Sequence, residues 1–414
     1  MKLLSILTLL GAAAAWAAHP EYLPLQVGNQ WVLETASPEP ELLNIEVLRS
    51  RIRNGETYFL VSGYAPGPRW LRTAADGTLY ALDEESGREE VLARFAAGTG
   101  YRTSLSGCEQ GAQSSSQPVP YRGPHFQVEE SLGIQYTPDG CRDVGLTNEV
   151  YAPGAGPMRR STTTIRGEVT FDLVYARVSG SPVLGKSKEI VLISNFDSGS
   201  KGWLAGFSDY NLKSSDLRML AELRPLPDEV DGKRAGFYIQ GMNRSDDLFM
   251  FVKKNVSTVD GLEPNQAYRF WFDIRFASNA PSGCAGAGGS PGDAVYLKAG
   301  ASADEPVASL AGDGEIGLSA DKGRQSEGGR DAGVVGTIAN GTACEGTSWP
   351  YVRVRRDYAH PQPVRTGESG SLWLLAGTDS GFEGLTGLYL ESITVRINPA
   401  VEPAGGPLAN GRRR

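Results

Sequence analysis

The sequence predicts an all-β protein: an N-terminal antiparallel β-sheet domain followed by a jelly-roll β-sandwich. Three observations carry that expectation. The 414 residues include 52 glycines and 25 prolines, too much punctuation for many long helices. Residues 268–276, YRFWFDIRF, alternate strictly. Tyr268, Phe270, Phe272, Ile274 and Phe276 fall on one side and Arg269, Trp271, Asp273 and Arg275 on the other, as in a strand with one face in a core. Asn54-Gly55 and Asp76-Gly77 interrupt apolar runs, and both dipeptides accept the positive φ of a tight hairpin.

Taken in chain order, the first element is a secretory signal, residues 1–17. It has a positive charge at Lys2, an apolar core over 3–15, and a small-x-small exit at Ala15, Trp16 and Ala17. The mature chain is therefore expected to be secreted or periplasmic. No later run approaches the ~20 apolar residues that a bilayer-spanning helix requires, so no membrane span is expected. Acidic residues outnumber basic ones 48 to 40, for a net charge of −8, which disfavours a phosphate-backbone partner; nucleic acid is not expected.

Short apolar runs at 31–34, 43–48, 57–63, 78–82 and 171–178 predict the antiparallel sheet of a first domain, residues 20–180. A small and polar passage at 178–188, VSGSPVLGKSK, marks the seam. The sandwich is expected over 187–398, with a flexible tail over 399–414. Within it, runs at 236–239 and 248–253 flank the turn MNRSDD as a hairpin does, and runs at 372–375 and 388–397 supply further strands. The glycine-rich section 282–300 reads as a surface excursion. Cys108 and Cys141 fall in one half of the chain, Cys284 and Cys344 in the other. Export makes disulfides the default, and pairing within each half is the simplest of the three connectivities.

Three sets of side chains are candidates for chemistry. On the last run Glu391 has the parity of Tyr389, Ile393, Val395 and Ile397, and Asp197 has the parity of Val191 and Ile193. A carboxylate facing a core is costly unless paired or bound to a metal, and calcium, with its six to eight oxygen ligands, meets that need. Asn195, Asp197 and Glu391 are its candidate ligands; the alternative leaves both acids at strand ends in water. The second set is aromatic: Trp203 and Tyr210, then Trp349 and Tyr351. Their rings can stack on the C–H faces of a sugar, with Asp209, Asn211 or Arg353 as polar neighbours. For Trp203 the plainer role is to plug the sandwich edge. The third set is the carboxylate pairs Asp246–Asp247, Asp379–Glu383 and Glu229–Asp231, which could serve glycoside cleavage but read more simply as solvated turn acids. With only His19, His125 and His360, and no Gly-x-Ser-x-Gly or HExxH, no catalytic residue is assigned.

The segments 193–203, ISNFDSGSKGW, and 390–395, LESITV, resemble the opening and closing strands of the jelly-roll carbohydrate-binding modules of secreted bacterial proteins. That resemblance implies a structural calcium held by acids of the first and last strands. It also implies non-catalytic binding of a polysaccharide or cell-surface glycan. The module pattern usually has Asp on the closing strand, where this chain has Glu391. Residues 22–31, YLPLQVGNQW, and 151–156, YAPGAG, resemble an uncharacterised group of secreted bacterial β-rich proteins, which implies fold and location only. Two other functions stay open: a secreted glycosidase or polysaccharide lyase using carboxylates of the second domain, and a structural envelope protein without a small ligand.

Overall fold

A computed structural model describes residues 20–137, 145–346 and 348–400. The expected signal at 1–17, Cys141 and the tail beyond 400 lie outside the described residues. The chain is all-β, and its described residues divide into two compact units. One runs to Val27 and then takes in Arg49–Arg122 and Gln127–Phe171; the other takes in Gly28–Leu48, Gly123–Phe126 and the chain from Asp172 onward. The division therefore falls elsewhere than the polar seam at 178–188. Val32, Val174 and Tyr175 belong to the same apolar core as Ile190, Phe272 and Val395, and Arg177 reaches Asp260 at 2.8 Å. A soft, polar composition marks a flexible passage, but which core a strand joins depends on packing partners far along the chain.

In the first unit, the strands Glu56–Ser62, Arg69–Thr73, Thr78–Leu82 and Glu89–Arg94 pair antiparallel in succession. A second antiparallel group contains Gly100–Thr103, Gln110–Ser114, Val119–Arg122, Gln127–Tyr136, Gly145–Ala152 and Gly156–Thr164. Both turn signals hold. Asn54 and Gly55 have φ of 52° and 82°, and Gly77 has φ of 78° beside Asp76, whose carboxylate accepts the Thr78 N–H at 2.9 Å. Cys108 is disulfide-bonded.

The second unit holds the sandwich. One sheet runs Leu220–Pro225, Ala235–Met242, Leu385–Pro399, Ala267–Ser278, Val352–Ala359, with Ile190–Asn195 paired to the later part of Leu385–Pro399. The facing sheet runs Leu204–Ser208, Leu248–Val256, Leu372–Ser380, Val295–Ser302, Gly333–Thr337. A small third sheet joins Tyr210–Asn211, Glu315–Leu318 and Ala308–Gly312. The core lies between the two large sheets. Tyr268, Phe270, Phe272, Ile274 and Phe276 enter it from one side and Leu248, Met250, Val252, Leu372 and Leu374 from the other. The segment MNRSDD departs from expectation. Met242 pairs with Leu385 in one sheet while Leu248 pairs with Ser380 in the other, so this turn is an arch between sheets rather than a hairpin. A turn dipeptide between apolar runs looks the same in either case.

Cys284 and Cys344 are bridged, with Cα atoms 5.3 Å apart, and tie down the glycine-rich section. Within it, Gly288 has φ of 69°, and a Cβ there would sit 2.2 Å from the Gly381 carbonyl oxygen, so only glycine fits. Among the described residues no helix is long and apolar enough to cross a membrane.

Candidate functional site

The expected calcium ligands are brought together, but around arginine. Glu391 does not face the core. Arg275 pairs with Ser392 and Phe276 with Leu390, so Glu391 is the extra residue of a β-bulge and the parity of the strand changes there. Leu388 and Leu390 precede the bulge in the core, Ile393, Val395 and Ile397 follow it, and Tyr389 belongs to a separate cluster with Tyr238. Glu391, 5% exposed, accepts Arg353 Nε on both carboxylate oxygens at 3.1 and 3.0 Å. Arg234 lies 3.6 Å from Asp197 and 3.9 Å from Glu391 and so links the two acids. Asp197 also accepts the Ala235 N–H at 2.8 Å, and Asn195 Oδ1 accepts the Asp197 N–H at 3.1 Å as a cap of the single turn Phe196–Ser198. This donor set does not fit calcium, because its carboxylates already serve two guanidinium groups. Among the described residues no cluster of three His, Cys, Asp or Glu side chains could hold a metal ion. Arg353→Ala is accordingly expected to cost about 1–3 kcal/mol, the penalty for a buried charge losing its partner. Thermal melts should show that loss and no response to a chelator; a midpoint that falls on chelation would count against arginine as the counter-ion.

The aromatic candidates separate. Trp203 is 1% exposed and part of the main core, so it plugs the sandwich and presents no face to a ligand. Tyr351 packs edge-on against Tyr389 at 5.2 Å, in the cluster that includes Tyr238 and is roofed by Arg224 at 4.2 Å from the Tyr238 ring. Tyr210 is half-buried against the core. Trp349 is half-buried, and its indole N–H donates to the Glu345 carbonyl at 3.1 Å. The acids Glu229 and Asp231 serve the same neighbourhood, Glu229 by accepting the Tyr351 N–H and Asp231 at 3.8 Å from Arg353.

The second unit's open cleft lies elsewhere, on the outer side of the facing sheet. Its volume is about 430 Å³, and its lining includes Asp209, Asn211, Arg244, Asp247, Glu315 and Arg324. None of the four expected aromatics lines it. Asp209 and Asn211, expected as polar neighbours of a ligand, do. The arch between sheets delivers Arg244 and Asp247; the small third sheet delivers Asn211 and Glu315, which are joined at 2.6 Å. Ser245 Oγ donates to the Asp209 carbonyl at 2.8 Å and so ties the arch to that sheet.

Beneath the cleft is a knot of buried charge. Asp379 lies on the outer face of the strand Leu372–Ser380, opposite Phe249, and is 0% exposed. Lys322 Nζ donates to Asp379 Oδ2 at 2.9 Å and lies 3.2 Å from Asp209 and 3.6 Å from Asp247. Lys298, also 0% exposed, lies 3.5 Å from Asp379 and donates to the Lys322 carbonyl at 3.0 Å. Burial raises the carboxyl of Asp209 against the pull of Lys322, and burial pushes Asp247 up to about 7, helped by the charges of Asp379 and Asp209. Burial lowers Lys298; in Lys322 burial acts in the same sense but the three aspartates outweigh it and the net direction is upward.

No protein-family model matches this chain, and no curated protein sequence matches it. Solved structures do. The CBM22-1–GH10 modules of Clostridium thermocellum xylanase 10B, solved with xylohexaose, are 13% identical, with a TM-score of 0.22; the match covers 53% of this chain and 29% of that one. TmCBM27, a carbohydrate-binding module described by its mannan recognition, is 10% identical over 50% of this chain and 97% of its own, with a TM-score of 0.22. A carbohydrate-binding module from the β-sandwich superfamily is 10% identical over 89% and 98%, with a TM-score of 0.25. Carbohydrate-binding modules are thus among the structural neighbours. At these scores the likeness concerns β architecture, and no site residue is carried across from it.

Proposed function

We propose that this chain is an exported, non-catalytic binding protein for a polysaccharide or cell-surface glycan, and that its second unit takes the sugar in the cleft between Asp209, Asn211, Asp247, Glu315 and Arg324. The observation that carries the reading is the cleft itself: a concave site whose walls mix carboxylate, amide, hydroxyl and guanidinium groups. Neighbouring sugar hydroxyls each donate and accept, and fixed groups of both kinds at close range match them. Trp203 and Tyr351 have no part in this reading, and calcium at Asn195, Asp197 and Glu391 is not needed for it. The saccharides named for the neighbouring modules, the oligosaccharide xylohexaose and the polysaccharide mannan, belong on the test panel.

One observation favours catalysis as a second reading. Asp247, with its carboxyl pushed up to about 7, and Asp209 share a cleft, and a general acid works best near the ambient pH. The test is a panel of immobilised and soluble polysaccharides presented to the purified chain, with reducing-end release measured in parallel. Retention without turnover is expected, with affinity lost in Asp209→Ala and Arg324→Ala. Turnover abolished by Asp247→Asn would favour the second reading, and a panel that retains nothing would leave the structural envelope role.

A further inference from the structure

Asp247 in the cleft wall and Asp379 beneath it each keep one carboxylate oxygen that no donor satisfies. Asp247 Oδ1 and Asp379 Oδ1 are both enclosed, and neither receives an N–H or O–H. Both carboxyl groups close on the one Lys322 ammonium, Asp379 Oδ2 at 2.9 Å and Asp247 Oδ1 at 3.6 Å, and two acids crowded there relieve their repulsion by holding a proton between them. The groups facing this pair come from five segments. From the loop after Glu315–Leu318, Lys322 and the Gln325 N–H are both bound to Asp379 Oδ2, the latter at 2.8 Å. Lys298 comes from the strand Val295–Ser302. Asp209 precedes Tyr210–Asn211 and shares the Lys322 ammonium. Arg244, on the arch, is turned to Asp216 at 3.3 Å, Asp246 is exposed, Glu315 is held by Asn211, and the exposed Arg324 shares the cleft wall with Asp247. Lys298 and Lys322 thus face Asp209, Asp247 and Asp379, and in a buried site the odd carboxylate is costly unless it is neutralised.

We propose that Asp247 and Asp379 hold one shared proton beneath the cleft, and that its release adds a negative charge there and weakens uptake of an uncharged polysaccharide. This regulation rests on the glycan-binding reading above. The upward displacement of Asp247 to about 7 agrees with it. A sugar laid over the acid removes water from it, and loss of water favours the protonated form, so binding and proton uptake reinforce each other. For stability the sign is fixed. A carboxyl whose folded-state pKa is raised contributes stability that is fully present below the ordinary carboxylate range and is lost as pH rises through about 7.

The test compares the full chain with Asp247→Asn, whose amide can donate to Asp379 without titrating. Thermal midpoints from about pH 5.5 to about pH 8.5 should fall in the parent and stay flatter in the variant across the range where Asp247 titrates. His360, whose pKa burial lowers, works in the opposite sense, losing stability as pH falls, and it is common to both proteins. In gels containing hydroxyethylcellulose or glucomannan, the parent should bind about fivefold more weakly at about pH 8 than at about pH 6, the ratio for a displacement of the pKa by ligand from about 7 to about 8, and the variant equally at both. Parallel midpoint curves for the two proteins would overturn the shared proton. A difference in midpoint curves with no retardation by either polysaccharide would support the proton and overturn the uptake of glycan, and with it the binding reading. Should the variant not fold, infrared titration of the parent reads the same proton: a protonated carboxyl C=O band that persists to neutral pH and then disappears supports it, and its absence overturns it.

Discussion

Replacing Lys322 by methionine is expected to destabilise the second unit by about 3–5 kcal/mol, the range for removing one partner of a buried ion pair. The lysine serves Asp379, Asp209 and Asp247 at 2.9, 3.2 and 3.6 Å, and its ammonium also lies 5.3 Å from the centre of the Phe249 ring. Methionine fills a similar volume, so the loss is one of charge rather than packing. Lys298 remains, but it is already engaged with the Lys322 and Glu327 carbonyls and cannot reach the whole knot. The deficit should also depend on pH. Asp209 and Asp247 are both held above the ordinary carboxylate range in the parent, so they take up protons first as pH falls, and protonation relieves the excess negative charge left by the variant. Denaturant melts at several pH values, followed by the transition of the second unit, read both effects. A loss below about 1 kcal/mol, in the range of exposed pairs, would mean that water screens the knot after all.

What the sequence made legible was local. The alternation at 268–276, the two glycine turns and the Cys284–Cys344 bridge all rest on near neighbours or on one pairing choice, and each stands in the structure. The parity expected of Glu391 changes at one residue. The bulge at Glu391 reverses strand parity, and nothing in LESITV announces it, because the register shift is set by the partner Ala267–Ser278. The cleft was half visible. Asp209 and Asn211 follow Trp203 in a polar passage, yet Arg244, Asp247, Glu315 and Arg324 come from segments that adjoin only once the arch and the small third sheet have formed. Lys298 is the clearest case of hidden context. In VYLKAGAS it has the outward parity of a solvated lysine, but the Lys322 and Glu327 carbonyls close over it and leave it 0% exposed.

The first unit should show an equally large effect at Arg160. Arg160→Met is expected to cost about 3–5 kcal/mol, since it strands Glu149, which is 0% exposed. Arg160 Nε donates to Glu149 Oε1 at 2.7 Å, a terminal nitrogen donates to the Tyr64 carbonyl at 2.7 Å, and the guanidinium lies 4.7 Å from the Tyr64 ring centre. Tyr136 completes the carboxylate by donating to Oε2 at 2.6 Å, and the hydroxyls of Tyr64 and Tyr151 are paired at 2.8 Å. Burial first and the Glu149 charge second raise the phenols of Tyr64, Tyr136 and Tyr151, so they stay protonated and act as donors. One cation therefore balances an anion that only neutral groups otherwise touch. A double-mutant cycle isolates the pair: Glu149→Gln should recover part of the loss in the Arg160→Met background, with a coupling of about 0.5–3 kcal/mol. Strict additivity would mean that the tyrosines alone can carry the carboxylate, and that the arginine serves the Tyr64 carbonyl instead.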